Sequence, residues 1–222
     1  MTTFDFGNGP VSAHQHSNGG GWVADTATVS ESVFVGREAM VFDNAVVSGD
    51  AVVTGNARVY GNAKVFGDAL VFDNAVVFDN AVVSGDAVVS GKAVVTGNAK
   101  VFYDAQVFDY AVVTGDAVVT CNALVYGYAR VSGNAMVYGA VVVSGDAVVS
   151  DNARVSGDAV VTGNAKVFYD AWVYGDAMVS GNVRVSGNAW VFDDAVVSGN
   201  ARVSGNARVS GDAVVTDELI IK

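Results

Sequence analysis

Few residues of this chain could do chemistry, and they fall into four groups. The two histidines stand together as His14-Gln15-His16, a pair able to hold a metal ion weakly through imidazole nitrogen. Placed before Gly19-Gly20-Gly21, they read more simply as part of a flexible leader. The single cysteine, Cys121, excludes an intramolecular disulfide, and no base is placed to activate it or any serine as a nucleophile. Aspartate recurs at eighteen-residue intervals: Asp50, Asp68, Asp86, Asp104 and, after Asn122 and Ala140, Asp158, Asp176, Asp194, Asp212. If consecutive members are spatial neighbours about 5 Å apart, they repel by about 1 kcal/mol even in water. Calcium, which prefers oxygen ligands, would relieve that repulsion. Aspartate is equally an ordinary turn residue whose charge solvent screens. The last group is aromatic. Trp172 and Trp190 are also eighteen apart, with Tyr174 and Phe192 beside them and Arg154 and Arg208 before and after. Such a group either covers a sheet and aligns its register or forms a platform for a sugar or a protein. Arginine over an exposed indole contributes about 0.5–1 kcal/mol.

The elements that carry these residues follow from one period. Thirty-three valines stand six residues apart from Val23 to Val215, and four residues after each comes a small residue, nearly always alanine. A representative unit is Val59-Tyr60-Gly61-Asn62-Ala63-Lys64. A fixed short period of this kind predicts a solenoid. Within each unit Ala-x-Val-x alternates small-in, out, large-in, out, which is strand periodicity. The following Gly-Asn, Gly-Asp or Asp-Asn is turn chemistry, since glycine and asparagine tolerate positive φ. Helices are opposed by the density of β-branched residues and the recurring glycine.

The pattern of an aliphatic residue followed four places later by a small one resembles the hexapeptide-repeat family, from Val23 to about Ile221. The monotonous V-x-G-[ND]-A-x style is most similar to uncharacterised bacterial and prophage-type members. The resemblance implies an all-β, left-handed parallel β-helix, a triangular solenoid with 18 residues per coil. About 11 coils would make a rod about 50 Å long. Residues 1–22 form an N-terminal leader or cap and residues 23–222 the β-helix. Many relatives are acyltransferases and some are carbonic anhydrases. The former use a histidine base, commonly with a projecting loop; the latter hold zinc with three histidines. Here the repeats contain no histidine, no insertion interrupts Val41 to Val215, and only His14 and His16 exist. The expectation is therefore a chain that is not an enzyme and has no cofactor, with calcium at the aspartate column the one candidate.

Folding the sequence at 18 residues separates three outward columns. The first holds Arg58, Arg130, Lys166, Arg184 and Arg202, and the second Lys64, Lys100, Arg154 and Arg208. The third runs Val52, Leu70, Val88, Gln106, Leu124, Val142, Val160, Met178, Val196, Val214, with no charge over ten coils. Its companion column two residues on includes Thr54, Phe72, Phe108, Tyr126, Ser144 and Thr162. At about 600 Å² per partner, such a face lies near the lower end of stable interfaces. It is either a wet sheet of β-branched residues or a surface for a second copy or another protein, and continuous apolar patches of that size favour the second. One corner is an asparagine column, Asn44, Asn62, Asn80, Asn98, Asp116, Asn134, Asn152, Asp170, Asn188 and Asn206, suited to stacking amides.

The function that follows is a structural or interaction rod, associating as a homo-oligomer or with a protein partner through face three. A hexapeptide-repeat acyltransferase-like enzyme is the alternative, and a ligand-, sugar- or ice-binding solenoid a further one. The net charge of −11 and a pI near 4.3, with no basic patch or run, argue against nucleic acid and anionic membranes as partners. No apolar stretch reaches the length of a membrane span. Met1-Thr2-Thr3-Phe4-Asp5-Phe6 lacks the features of a signal peptide, so the cytoplasm is the expected location, with a virion or surface context fitting the resemblance.

Overall fold

The computed structural model describes residues 2–216 and the strand Ile220–Ile221. Short strands, most of two residues, turn through three sheets in succession, so each strand lies beside the one eighteen residues away. Lys64 pairs with Val82, Leu70 with Val88 and Val76 with Val94, all in parallel. Sheets two and three each contain 11 strands, and sheet one contains 14, because two leader strands and Ile220–Ile221 add to it. The chain is thus an all-β parallel solenoid of about eleven turns. Among the described residues there is no helix, and so none able to cross a membrane, which leaves spanning by strands unaddressed.

The inward columns are the core. From Ala39 to Val203 every valine and alanine of the six-residue period is fully buried. Burial of a valine side chain contributes about 1.5–3 kcal/mol, and the alanines let the three sheets approach near each corner. Valine takes the alanine place at Val33, Val141 and Val183 and is fully buried there too.

The backbone is satisfied coil to coil, in the corners as well as the strands. The Val76 N–H donates to Ala93 O at 2.9 Å and, at a corner, the Asn44 N–H donates to Gly61 O at 2.9 Å. From Asp43 to Gly211 the first residue of each corner adopts positive φ. At Gly61, with φ of 71°, an added Cβ would lie 2.8 Å from the Asp79 nitrogen one coil on. Asp79 carries a Cβ at φ 60°, and its Oδ2 accepts the Gly97 N–H at 3.2 Å. Asp43, Asp73, Asp109, Asp151 and Asp193 make the same contact eighteen residues ahead. The second corner residue stacks amides: Asn62 donates to Asn80 at 3.3 Å and Asn80 to Asn98 at 3.2 Å. A second asparagine ladder, from Asn164 through Asn182 to Asn200 at 3.0 Å per step, runs along the corner between faces three and one.

The leader differs from the flexible segment that its glycines suggest. Thr3–Asp5 and Pro10–Gln15 form an antiparallel hairpin, and the second strand pairs antiparallel with Trp22–Ala24 at the edge of sheet one. Beyond it the chain follows the first strand of face three, where Val35 N–H donates to Asn18 O and Gly21 N–H to Val35 O, both at 2.9 Å. Aromatic burial holds the hairpin down. Phe4 stacks on Trp22 at 4.4 Å, Phe6 on Phe42 at 4.9 Å, and the stack continues through Tyr60 to Phe78. Arg58 ties the hairpin to the third coil, its Nη2 donating to Phe6 O at 2.9 Å while its guanidinium lies over Phe42.

Candidate functional site

Face three is a regular sheet of outward apolar side chains. Val52, Val88, Leu124, Val142, Val160 and Val196 are half-buried by their neighbours, whereas Leu70 is 36% and Met178 46% exposed. Val214 is exposed on the last coil with described side chains. Beside this column Phe108 and Tyr126 stack at 4.8 Å, and the Ser144 and Thr162 hydroxyls lie 3.0 Å apart. Ser144, which is buried, therefore bonds to the next hydroxyl along the rod. Nothing charged interrupts the outward column from Val52 to Val214.

On face two the aromatic residues predicted to be neighbours are brought together. Trp172 and Trp190 stack at 5.2 Å with planes 6° apart, and Tyr174 and Phe192 stack at 5.0 Å. Arg154 lies over Trp172 at 4.9 Å and Arg208 over Trp190 at 4.6 Å, so cations close the ladder at both ends. Burial against this group pushes the Tyr174 phenol above its ordinary pKa; Asp193 adds to the rise and Arg208 opposes it.

The aspartate column stands along the corner between faces two and three, with Asp50, Asp68, Asp86, Asp104, Asp158, Asp176, Asp194 and Asp212 all exposed. The carboxylates run in single file, interrupted at Asn122 and Ala140, so a member has at most two column neighbours as co-ligands, with Asp193 also beside Asp194. Among the described residues no group of three or more histidine, cysteine, aspartate or glutamate side chains is placed to hold a metal ion. Cys121 is a corner residue at φ 60°, and the Thr120 hydroxyl is 4.0 Å from its sulfur.

The histidines part company. His16 is buried and bonds within its own turn to Asn18. His14 places Nδ1 2.9 Å from Asp25 Oδ1 across the leader pairing, both groups about half exposed. Beside this pair lies a cleft of about 500 Å³ that sequence reasoning missed, formed where the hairpin turn hangs over the first corners. Its walls include Phe6 and Val11 from the leader and Asp25, Asp43, Asn44 and Asn62 from the coils. No local pattern announces it, because a hairpin about fifty residues upstream of Arg58 must fold back to make it.

Comparison with known proteins matches this architecture. The profile of the YdcK beta solenoid repeat matches residues 129–145, 147–163, 171–187 and 201–217, less than half of the chain. No curated protein sequence matches significantly. Among solved structures, the UDP-N-acetylglucosamine acyltransferase of Francisella novicida superposes with a TM-score of 0.63 at 16% identity, over 71% of this chain. The chain spans 66% of that enzyme's length, just under two thirds. The UDP-N-acetylglucosamine O-acyltransferase of Moraxella catarrhalis RH4 aligns over 78% of this chain and 72% of its own, at 14% identity and a TM-score of 0.31. The likeness to the Francisella protein corrects one expectation. A bare solenoid without a repeat histidine was read as not an enzyme, yet the same fold serves as the body of an acyltransferase. The missing loop and histidine describe one way of building a site on this fold, so they do not exclude catalysis. At 16% identity it is the fold that is shared.

Proposed function

We propose that this chain, a hexapeptide-repeat β-solenoid, is a rigid rod that associates with a second copy of itself through face three. The supporting observation is the contrast between faces. Face one carries Arg58, Arg130, Lys166, Arg184 and Arg202 and face two Lys64, Lys100, Arg154 and Arg208, while the same position on face three is apolar apart from Gln106. Burying a lysine or arginine without a partner is costly, so only face three can be covered along its length. Its area of about 600 Å² per copy sits at the low end for stable pairing, which makes association concentration-dependent. Sedimentation velocity across a concentration series tests this: the rod predicts a shift from one chain toward a multiple, and a single-chain mass throughout refutes it.

A second reading is group transfer of the acyltransferase kind, and the fold shared with the Francisella enzyme supports it. Titration with UDP-N-acetylglucosamine, in the presence and absence of an acyl-coenzyme A, tests that reading. Saturable binding and acyl transfer favour it; no binding of either compound refutes it.

A further inference from the structure

The cleft beneath the leader hairpin has the form of a small-molecule site. Its volume of about 500 Å³ lies within the range of roughly 300–1,000 Å³ usual for such sites, and it sits between two structural units, where they commonly occur. The hairpin that roofs it is fixed: Phe6 is buried against Phe42, and Arg58 Nη2 holds Phe6 O at 2.9 Å. The cleft is therefore built, not a gap under a loose arm.

The lining sets the chemistry of an occupant. Val11, 47% exposed, and the edges of Phe6 and Phe42 make an apolar side. The ring faces of Phe42 are already taken by Phe6 and Tyr60, so flat stacking of an aromatic guest is closed off. The polar lining includes the amides of Asn44 and Asn62, able to donate and accept, and the carboxylates of Asp25 and Asp43. Among the described residues no lysine or arginine lines the cleft, which disfavours phosphate and carboxylate guests.

The two carboxylates are a departure from the rest of the corner. Asp25 and Asp43 stand eighteen residues apart, at the same place in successive coils, and both line the cleft. At every later first-corner position aspartate is followed eighteen residues on by glycine or, after Asp151, by Tyr169, so no other two aspartates follow one another there. Asp43 Oδ2 accepts the Gly61 N–H at 3.2 Å, leaving Oδ1 as a further acceptor. Asp25 Oδ1 meets His14 Nδ1, leaving Oδ2. Two acceptors of like charge lining one cleft are satisfied together by one cation.

We propose that this cleft binds a small organic amine of monosaccharide size, its ammonium between Asp25 and Asp43, its polar groups on Asn44 and Asn62 and its apolar side on Val11. The assignment is independent of face three and of the acyltransferase reading. Nitrogen-15-labelled full-length protein titrated with glucosamine and with N-acetylglucosamine tests it, since the pair differ in whether the nitrogen is charged. Saturable shifts of the Thr26, Asn44 and Asn62 amides with glucosamine are expected, with affinity for N-acetylglucosamine lower by about tenfold or more. Asp43→Asn, which keeps an oxygen for the Gly61 N–H, weakens glucosamine binding by about tenfold with an unchanged melting temperature. Asp25→Asn provides a second variant should the first unfold. No shifts with glucosamine, equal binding of the two sugars, or full binding by a folded Asp43→Asn would each overturn the proposal.

Discussion

The carboxylate of Asp79 accepts the backbone N–H of Gly97 at 3.2 Å, one coil further along the rod. Asp79 sits at φ 60°, a region that disfavours side chains with a Cβ. The charge-assisted bond offsets that conformational cost, which is why aspartate can replace glycine at these corners. Asp79→Ala keeps the Cβ and loses the bond, and should destabilise by about 1–3 kcal/mol. Asp79→Gly loses the bond but relieves the backbone, so its loss is smaller. Urea denaturation of the two variants measures the order, and an alanine variant as stable as the glycine one contradicts it.

The inward columns make a sharper demand. Ala99 and Ala159 are fully buried where the prism narrows. Replacing either with phenylalanine should overpack the coil by about 1–3 kcal/mol or more. Val101 points in and Val94 out, so Val101→Asp should be far worse than Val94→Asp. Thermal melting followed by circular dichroism distinguishes the pairs.

Alkali should weaken the leader contact. Tyr60, stacked between Phe42 and Phe78, has a pKa raised above the ordinary 10.0, chiefly by burial, with Asp79 and Asp43 adding to the rise and Arg58 opposing it. A phenol whose folded pKa is raised keeps its contribution below pH about 10 and loses it as pH rises through the folded value. The melting temperature should therefore fall above pH about 10, and Tyr60→Phe should make that fall shallower.

Calcium should not shift the melting curve. The aspartate column is a single file broken at Asn122 and Ala140, and among the described residues no three-ligand group exists. A native-state ligand would stabilise by mass action, so a rise in melting temperature with millimolar calcium that chelator reverses would assign the column a cation.

The six-residue period made the solenoid legible because each unit repeats the same decision: alanine and valine in, glycine or aspartate at the turn. Folding at eighteen placed Trp172 on Trp190 and Asn62 beneath Asn80 for the same reason, since neighbours are fixed by arithmetic. The leader escaped this logic. Its hairpin is set by Phe6 on Phe42 and by Arg58 holding Phe6 O, contacts without a period. The cleft and the His14–Asp25 pair depend on that fold-back and were invisible for the same cause. The carboxylate of Asp79 on Gly97 N–H is hidden differently: turn composition accounts for the residue, and the signal lies in the glycine that follows Asp43, Asp73, Asp79, Asp109 and Asp193 eighteen residues on.

The association through face three is tested most directly by light scattering on two double variants beside the wild type. Val142→Lys with Val160→Lys places unpaired charges on that face, and Val94→Lys with Val112→Lys places them on face one, where Arg130 and Lys166 already stand in the same column. The wild type and the face-one variant should show a multiple of the 22.7 kDa chain mass, and the face-three variant a single chain with its β-sheet circular dichroism intact. A wild type that is one chain at tens of micromolar, or a face-three variant that keeps the multiple, would contradict the account.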